Sequence, residues 1–346
     1  MNEAPRFSGV YAELSSPAGI SPETVRRVFD AILAGGWTPV QVAGFAVALR
    51  MRGESAPVIA AAVESMRAAM MGVDHGLSRV LDTCGTGGDG LGTVNLSTGA
   101  AIIVAAAGIP VAKHGNRAVS SRAGSADVLE ALGIPLDLPP HAAADVLREA
   151  NIAFLMAPAH HPAMRHGGVA RRELGIRTIF NLLGPLANPA RATHQLLGAY
   201  DDSVRPVLAE TLRTLGVQRA WVVRGEDGLD EVSPFGATRV TELSGGSLTE
   251  HQVAPEDFGL QPSAQGAVAG GDAEHNARIL GEVLSGRPHP ATDAFVLNAA
   301  AALVVAEELA PRAAVDRVRE ALQTGAAERT LDNWRATTRK YRAPTD

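Results

Sequence analysis

The chain has 346 residues, 31 basic and 37 acidic side chains giving a formal charge of −6, and a composition that is 46% hydrophobic, 20% charged and only 4% aromatic. That length exceeds what a single core usually organises, roughly 250–300 residues, so two domains with aliphatic interiors are expected. A negative chain repels nucleic-acid backbones and anionic membranes, and the single cysteine, Cys84, excludes an internal disulfide.

The N-terminal stretch Met1-Asn2-Glu3-Ala4-Pro5 lacks the basic segment and apolar run of a secretory signal, which predicts a cytoplasmic protein. The first seventy residues carry helix signals only. Ser21-Pro22 places a capping hydroxyl before a proline, with Val25, Val28, Phe29, Ile32 and Leu33 at helical spacing up to Gly35. Thr38-Pro39-Val40-Gln41 reads as a capping box, and a third helix fits Pro57–Met71.

From about Leu77, short β-branched runs alternate with longer helical ones, the pattern of a parallel α/β sheet. Strands are expected at Val80–Asp82, Ile109–Lys113, Ile152–Met156 and Ala220–Arg224. Helices are expected at Thr98–Ala107, Ser125–Leu132, Ala142–Glu149 and Val204–Leu215, and further on at Asp272–Leu284, Asp293–Glu308 and Ala313–Leu322. The segment Ala237–Leu260 reads as irregular strands and loops, and His161–Pro189 as helical. Ala100–Ala107 and Ala294–Ala306 are apolar but shorter than the roughly 20 residues of a spanning helix, so they are expected to be buried helices. The expected fold class is therefore α/β: a small helical domain over residues 1–75, completed by 161–189, beside a larger parallel-sheet domain over 76–160 and 190–346.

The densest chemical signal is Asp82-Thr83-Cys84-Gly85-Thr86-Gly87-Gly88-Asp89-Gly90, directly after a predicted strand. Such a glycine cluster lets backbone amides approach an anion, the way a loop cradles phosphate. Gly85, Gly87 and Gly90 also match the dinucleotide-binding pattern, but the next helix opens only near Ser97-Thr98 and the second strand ends in Lys113 rather than an acid. Asn95-Leu96-Ser97-Thr98 supplies hydroxyls at a helix start, suited to phosphate or magnesium. Lys113-His114-Gly115-Asn116-Arg117-Ala118-Val119-Ser120-Ser121 lies at the carboxyl end of a strand and reads as a polyanion site, with Ser125 at another helix start. Asp230 and Glu231 are adjacent acids that a loop can turn toward a hard cation. Arg171 and Arg172 lie on a helix where only one can face a given carboxylate. Cys84 has no neighbouring base and reads as unreactive; His160 and His161 lack zinc-site spacing.

In this order, Asp82–Gly90, Asn95–Thr98, Lys113–Ser121, Gly124–Gly133, His161–Met164, Arg171–Pro189 and Gly228–Ser233 resemble the anthranilate phosphoribosyltransferase family over nearly the whole chain. The resemblance implies transfer of phosphoribosyl from phosphoribosyl pyrophosphate to the amine of anthranilate in tryptophan biosynthesis, a fold of the nucleoside phosphorylase and phosphoribosyltransferase type, and a homodimer through the helical domain. It implies that Gly85, Gly88, Asp89, Thr93, Asn95, Leu96, Ser97, Thr98, Lys113, Ser121 and Ser125 hold phosphoribosyl pyrophosphate. His114, Gly115, Arg117, Ala118, Val119 and Ser120 complete that binding loop. Asn116 and Arg171 meet anthranilate; Ser97, Asp230 and Glu231 bind Mg2+; Lys113 and His114 are the catalytic candidates, His114 as proton acceptor. Two other readings compete with this one: a pyrimidine nucleoside phosphorylase, opposed by the Gly-Asn-Arg of the Lys113–Arg117 loop, and a non-catalytic nucleic-acid-binding relative, opposed by the two acids and the net charge of −6.

Overall fold

The computed structural model describes residues 4–118 and 122–342. Its N-terminal helices begin where the caps direct. Ser21 accepts the Thr24 N–H ahead of helix Pro22–Leu33, and Thr38 with Gln41 forms a reciprocal capping box ahead of Pro39–Arg52. Helix Ala56–Ala69 follows. One of the N-terminal helices, Phe7–Ser15, was not expected, and neither was Ala326–Tyr341 at the other end of the described chain; Phe7–Ser15 has no side-chain cap and contains Gly9. It is held instead by aromatic packing, with the Phe7 ring edge-on to Trp37 at 5.7 Å.

Among the described residues the sheet has seven strands: β1 (Leu81–Gly85), β2 (Val111–Gly115), β3 (Ile152–Met156), β4 (His194–Gly198), β5 (Arg219–Gly225), β6 (Thr238–Ser244) and β7 (Ser247–Val253). Their order is β3-β2-β1-β4-β5-β6-β7, parallel from β3 to β5 and antiparallel through β6 and β7. The expected irregular segment at 237–260 is thus a regular hairpin. Its strands extend the sheet beyond the parallel core, and Gly245 and Gly246 at positive φ make the tight turn between them. The chain runs outward from β1 to β3 and then returns to place β4 on the other side of β1. This reversal creates a crevice at the carboxyl ends of β1 and β4, where open α/β sheets bind ligands.

One face of the sheet is covered by the apolar helices Leu96–Ala106 and Thr292–Glu307, packed against each other and against β1 and β4. Both are almost wholly buried. No single helix among the described residues is long and apolar enough to cross a membrane. A second apolar cluster joins the N-terminal helices to Ala170, Phe180, Leu183 and Leu186, with Phe29 touching both Phe45 (6.2 Å) and Phe180 (5.7 Å). Helix Arg165–Leu174 packs on Pro39–Arg52, and helix Ile179–Leu186 on Ala56–Ala69. Arg67 ties the two regions by donating to the Leu186 carbonyl at 2.9 Å.

Candidate active site

β1 and β4 run in register through Gly85 and Gly198, and the acidic loop after β5 lies across their ends. A Cβ on Gly85 would stand 2.8 Å from Asp230 Oδ2, and one on Gly198 would overlap the Asp230 backbone carbonyl. At Gly198 the backbone of the acidic loop therefore comes too close for any side chain, and at Gly85 a side chain would press on the Asp230 carboxylate. Asp230 accepts the Gly87 N–H at 2.9 Å, and Glu231 accepts the Ser97 N–H at 3.1 Å. So three segments far apart in sequence, the glycine loop, the helix start at Ser97 and the acidic pair, meet at one point. The two carboxylates are poorly compensated. Burial first, then the charge of Asp89, raises the pKa of Asp230; burial, then Asp230, raises that of Glu231.

Lys113, 2% exposed, reaches the same place from the middle of β2. Its Nζ donates to the Thr83 carbonyl at 2.6 Å and lies 3.4 Å from Ser97 Oγ. Burial lowers its pKa while Asp82 and Glu231 pull the other way. Asp82 is fully buried, accepts from Asn188 Nδ2 (2.8 Å) and the His114 N–H (3.2 Å), and is pushed up to about 6 by desolvation. It anchors β1 to β2 beneath Lys113. Cys84 is buried, receives the Gln195 amide at 3.1 Å and has its thiol pKa raised by burial, so it is inert at neutral pH.

The His114 and His161 rings pack against each other, tilted by 56°, with centroids 5.2 Å apart. His114 Nδ1 pairs with the Gly184 carbonyl at 3.0 Å and must carry the proton there, leaving Nε2 a buried acceptor without a partner among the described residues; the same holds for His161 Nε2. Burial holds His114 near 3 and His161 near 4. Both rings are neutral at physiological pH. A proton acceptor at neutral pH needs a more basic imidazole than the one burial leaves at His114.

The remaining expected residues divide by what their side chains already do. Asn95 accepts the Asn276 amide at 2.9 Å and donates to the Ala123 carbonyl at 3.2 Å, linking the helix start to helix Ala273–Leu284 and to the loop before Ser125. Thr93 bridges to Ala269. Leu96 and Thr98 are buried; Leu96 belongs to the core, and the Thr98 hydroxyl has no partner among the described residues. After Gly115, Asn116 uses Oδ1 for the Arg117 N–H, and Ser125 Oγ lies 3.4 Å from the Asn116 carbonyl. Ala118 donates its N–H to Asp127. Arg117 is engaged by Asp127 (3.0 Å) and Glu130 (2.8 Å) and lines a separate open cavity of about 580 Å³ with Asp137 and Arg339. Val119, Ser120 and Ser121 lie outside the described residues.

Arg171 and Arg172 are exposed on helix Arg165–Leu174, and the Arg171 guanidinium has no acceptor among the described residues. Although the residue as a whole is exposed, desolvation by the surrounding chain lowers the Arg171 pKa. Two residues that sequence reasoning missed also belong here. Arg177 donates to the carbonyls of Gly87 and Gly88, and Tyr200 lies under its guanidinium. Neither stands in a local pattern, because their partners in the glycine loop are about ninety and well over a hundred residues away.

The chain is similar to known proteins over nearly all of its length. Residues 14–70 match the model of the glycosyl transferase family's helical bundle domain, and residues 77–328 that of its a/b domain. A relative from Bradyrhizobium sp. named anthranilate phosphoribosyltransferase is 49% identical over 94% of this chain and 96% of its own. One of the same name from Azorhizobium caulinodans is 46% identical over 94% and 95%. Among solved structures, anthranilate phosphoribosyltransferase from Thermus thermophilus superposes with a TM-score of 0.87 at 43% identity, covering 92% of this chain and 96% of that one. The Saccharomyces cerevisiae enzyme in complex with phosphoribosyl pyrophosphate and Mg superposes at 0.89 with 29% identity, covering 96% and 98%.

Proposed function

Because the chain belongs to the anthranilate phosphoribosyltransferase family, the pentosyltransferases that join phosphoribosyl pyrophosphate to anthranilate, we propose which of its own residues perform that transfer. The observation that carries the assignment is the meeting of the Gly87 N–H with Asp230 and of the Ser97 N–H with Glu231, beside the buried Lys113 ammonium. The diphosphate lies along Gly85–Asp89 and the helix start at Asn95–Thr98, with Thr93, Lys113 and Ser125 around it. Asp230 and Glu231, whose pKa values are raised by burial and by neighbouring acids, fit a hard divalent cation, and with Ser97 Oγ they would hold Mg2+. Bound there, Mg2+ supplies positive charge to a leaving diphosphate.

Anthranilate is oriented through its carboxylate by Arg171, whose guanidinium is otherwise unengaged, and by Asn116. Its aromatic amine is neutral and attacks the ribosyl carbon with its own lone pair; the bond from that carbon to the diphosphate oxygen breaks. Lys113 and the loop amides stabilise charge on the departing group. We assign His114 to orientation through its unpartnered Nε2, and the surplus amine proton to the departing diphosphate, which is far more basic than an imidazole held near 3.

On this reading residues 1–75, completed by 161–189, form the helical unit, and residues 76–160 with 190–346 form the substrate domain. The helical unit exposes Tyr11, Val40 and Met51, at 55%, 81% and 83%, which supports pairing of two copies there. The buried, free Cys84 is compatible with a reducing cytoplasm. The test is direct: protein, Mg2+, phosphoribosyl pyrophosphate and anthranilate are mixed, and anthranilate fluorescence is followed. Fluorescence is lost in the complete mixture and persists when Mg2+ is chelated; persistence in the complete mixture would overturn the assignment.

A further inference from the structure

Arg177 takes no part in the chemistry assigned so far. It lies in the connection between helices Arg165–Leu174 and Ile179–Leu186, two residues after the left-handed Gly175. Its Nη1 donates to the Gly87 carbonyl at 3.1 Å and its Nη2 to the Gly88 carbonyl at 2.5 Å. Behind it, the Tyr200 ring centroid is 4.0 Å from the guanidinium carbon, and the Tyr200 N–H donates to Thr86 Oγ1 at 2.8 Å. The contact is close enough that a Cβ on Gly88, already at φ +79°, would collide with the Arg177 guanidinium.

A trans peptide directs its C=O and N–H in opposite senses, and the chain contains no cis bond among its described residues. The Gly87 carbonyl shares its plane with the Gly88 N–H, and the Gly88 carbonyl shares its plane with the Asp89 N–H. Holding both carbonyls on one planar guanidinium therefore turns both N–H groups away from it. Neither N–H has an acceptor among the described residues, whereas the neighbouring Gly87 and Leu91 N–H groups are taken by Asp230 and Asp89. Two successive, unpartnered amides facing one side form a concavity for an anion.

We propose that Arg177 is the positioning residue of the glycine loop: it fixes the Gly88 and Asp89 amides toward the diphosphate without touching the reacting atoms. This rests on the reading that the glycine loop holds the diphosphate. The fork geometry is what performs the task. A lysine keeps the charge, but its three rotatable donors on a flexible stem do not fix two successive carbonyls in one plane as the guanidinium does.

The experiment compares Arg177→Ala and Arg177→Lys with the unaltered protein, by calorimetric titration with phosphoribosyl pyrophosphate and Mg2+, steady-state kinetics and melting temperature. Arg177→Ala is expected to weaken phosphoribosyl pyrophosphate about tenfold to a hundredfold while the KM for anthranilate changes little. Arg177→Lys is expected to recover only a small part of that loss. Full recovery by lysine would mean that charge alone matters and would overturn the proposal, as would unchanged phosphoribosyl pyrophosphate affinity in Arg177→Ala. If the alanine variant fails to fold, the lysine variant decides by the same criterion of affinity lost at normal melting temperature. Asp230→Asn is titrated alongside. If it loses affinity and the Arg177 variants do not, only the role of Arg177 falls; if none loses affinity, the placement of the diphosphate falls and this role with it.

Discussion

Gly198 faces the backbone carbonyl of Asp230 so closely that no side chain fits between them. The end of β4 thereby sets the position of the acidic loop. Gly198→Ala must push Asp230 away from Gly87, because the obstructing atom is backbone rather than a pliable side-chain tip. Overpacking of this kind costs about 1–3 kcal/mol. The expected outcome is a folded protein with a lowered melting temperature, a higher Mg2+ requirement for turnover and a lower kcat. Normal Mg2+ dependence in a Mg2+ titration of initial rates would contradict this.

How much of this arrangement was legible follows from where each signal lies. Strand β3, a compact run of apolar residues between turns, was readable to the residue as Ile152–Met156. β1 was placed but cut short at Asp82, because glycines look like the end of a strand; Gly85 stays in the ladder since it pairs with Gly198. β4, His194–Gly198, was missed altogether. It is buried on both faces, so it shows no alternation, and it has no β-branched residue to mark it. Losing β4 also hid the point where the strand order reverses. The glycine loop, Lys113 and the acidic pair were found by composition, but Arg177 acts only through partners distant in the chain, and a lone arginine in a connection carries no local signature.

Arg171 and Arg172 are neighbours on one helix and project in different directions, so they provide their own control. Arg171→Ala is expected to raise the KM for anthranilate by about ten- to a hundredfold, the equivalent of a lost charge-assisted pair of about 1.5–3 kcal/mol, with a much smaller effect on phosphoribosyl pyrophosphate. Arg172→Ala should change neither appreciably. Equal changes for both substrates in Arg171→Ala would make it a structural residue.

The buried, contacting histidines His114 and His161 give the fold a pH dependence of defined sign. His161 has an ordinary value of 6.5 and is held near 4 in the folded protein. Between those values the unfolded chain binds the extra proton, so the stability this group contributes is complete above 6.5 and is lost as pH falls toward 4. The loss runs at about 1.4 kcal/mol per pH unit. Asp82, raised by burial to about 6, works in the opposite sense, so the measurement is a difference between variants. His161→Phe should lose less stability than the unaltered protein between pH 7.5 and pH 5, read from urea midpoints. Equal losses would show that His161 is not held neutral.

Asp230 and Glu231 provide the sharpest test because metal binding and folding pull in opposite directions. Their pKa values are raised by burial and by neighbouring acids, so in the absence of Mg2+ each ionised carboxylate is a cost to the fold. Asp230→Asn and Glu231→Gln should therefore melt at or above the temperature of the unaltered protein when Mg2+ is chelated. Adding Mg2+ and phosphoribosyl pyrophosphate stabilises the unaltered protein by mass action, about 2.7 kcal/mol at a hundredfold excess over Kd, and should do so far less in either variant. Turnover should fall in both by at least about a hundredfold, since neutral amides are poor ligands for a hard cation. Extra Mg2+ should restore it only in part. The two acids meet different partners, Gly87 and Ser97, so neither can stand in for the other. If they merely tied loops together through those N–H groups, the variants would instead melt lower and keep their rate per folded molecule, and that result would remove the metal from this site.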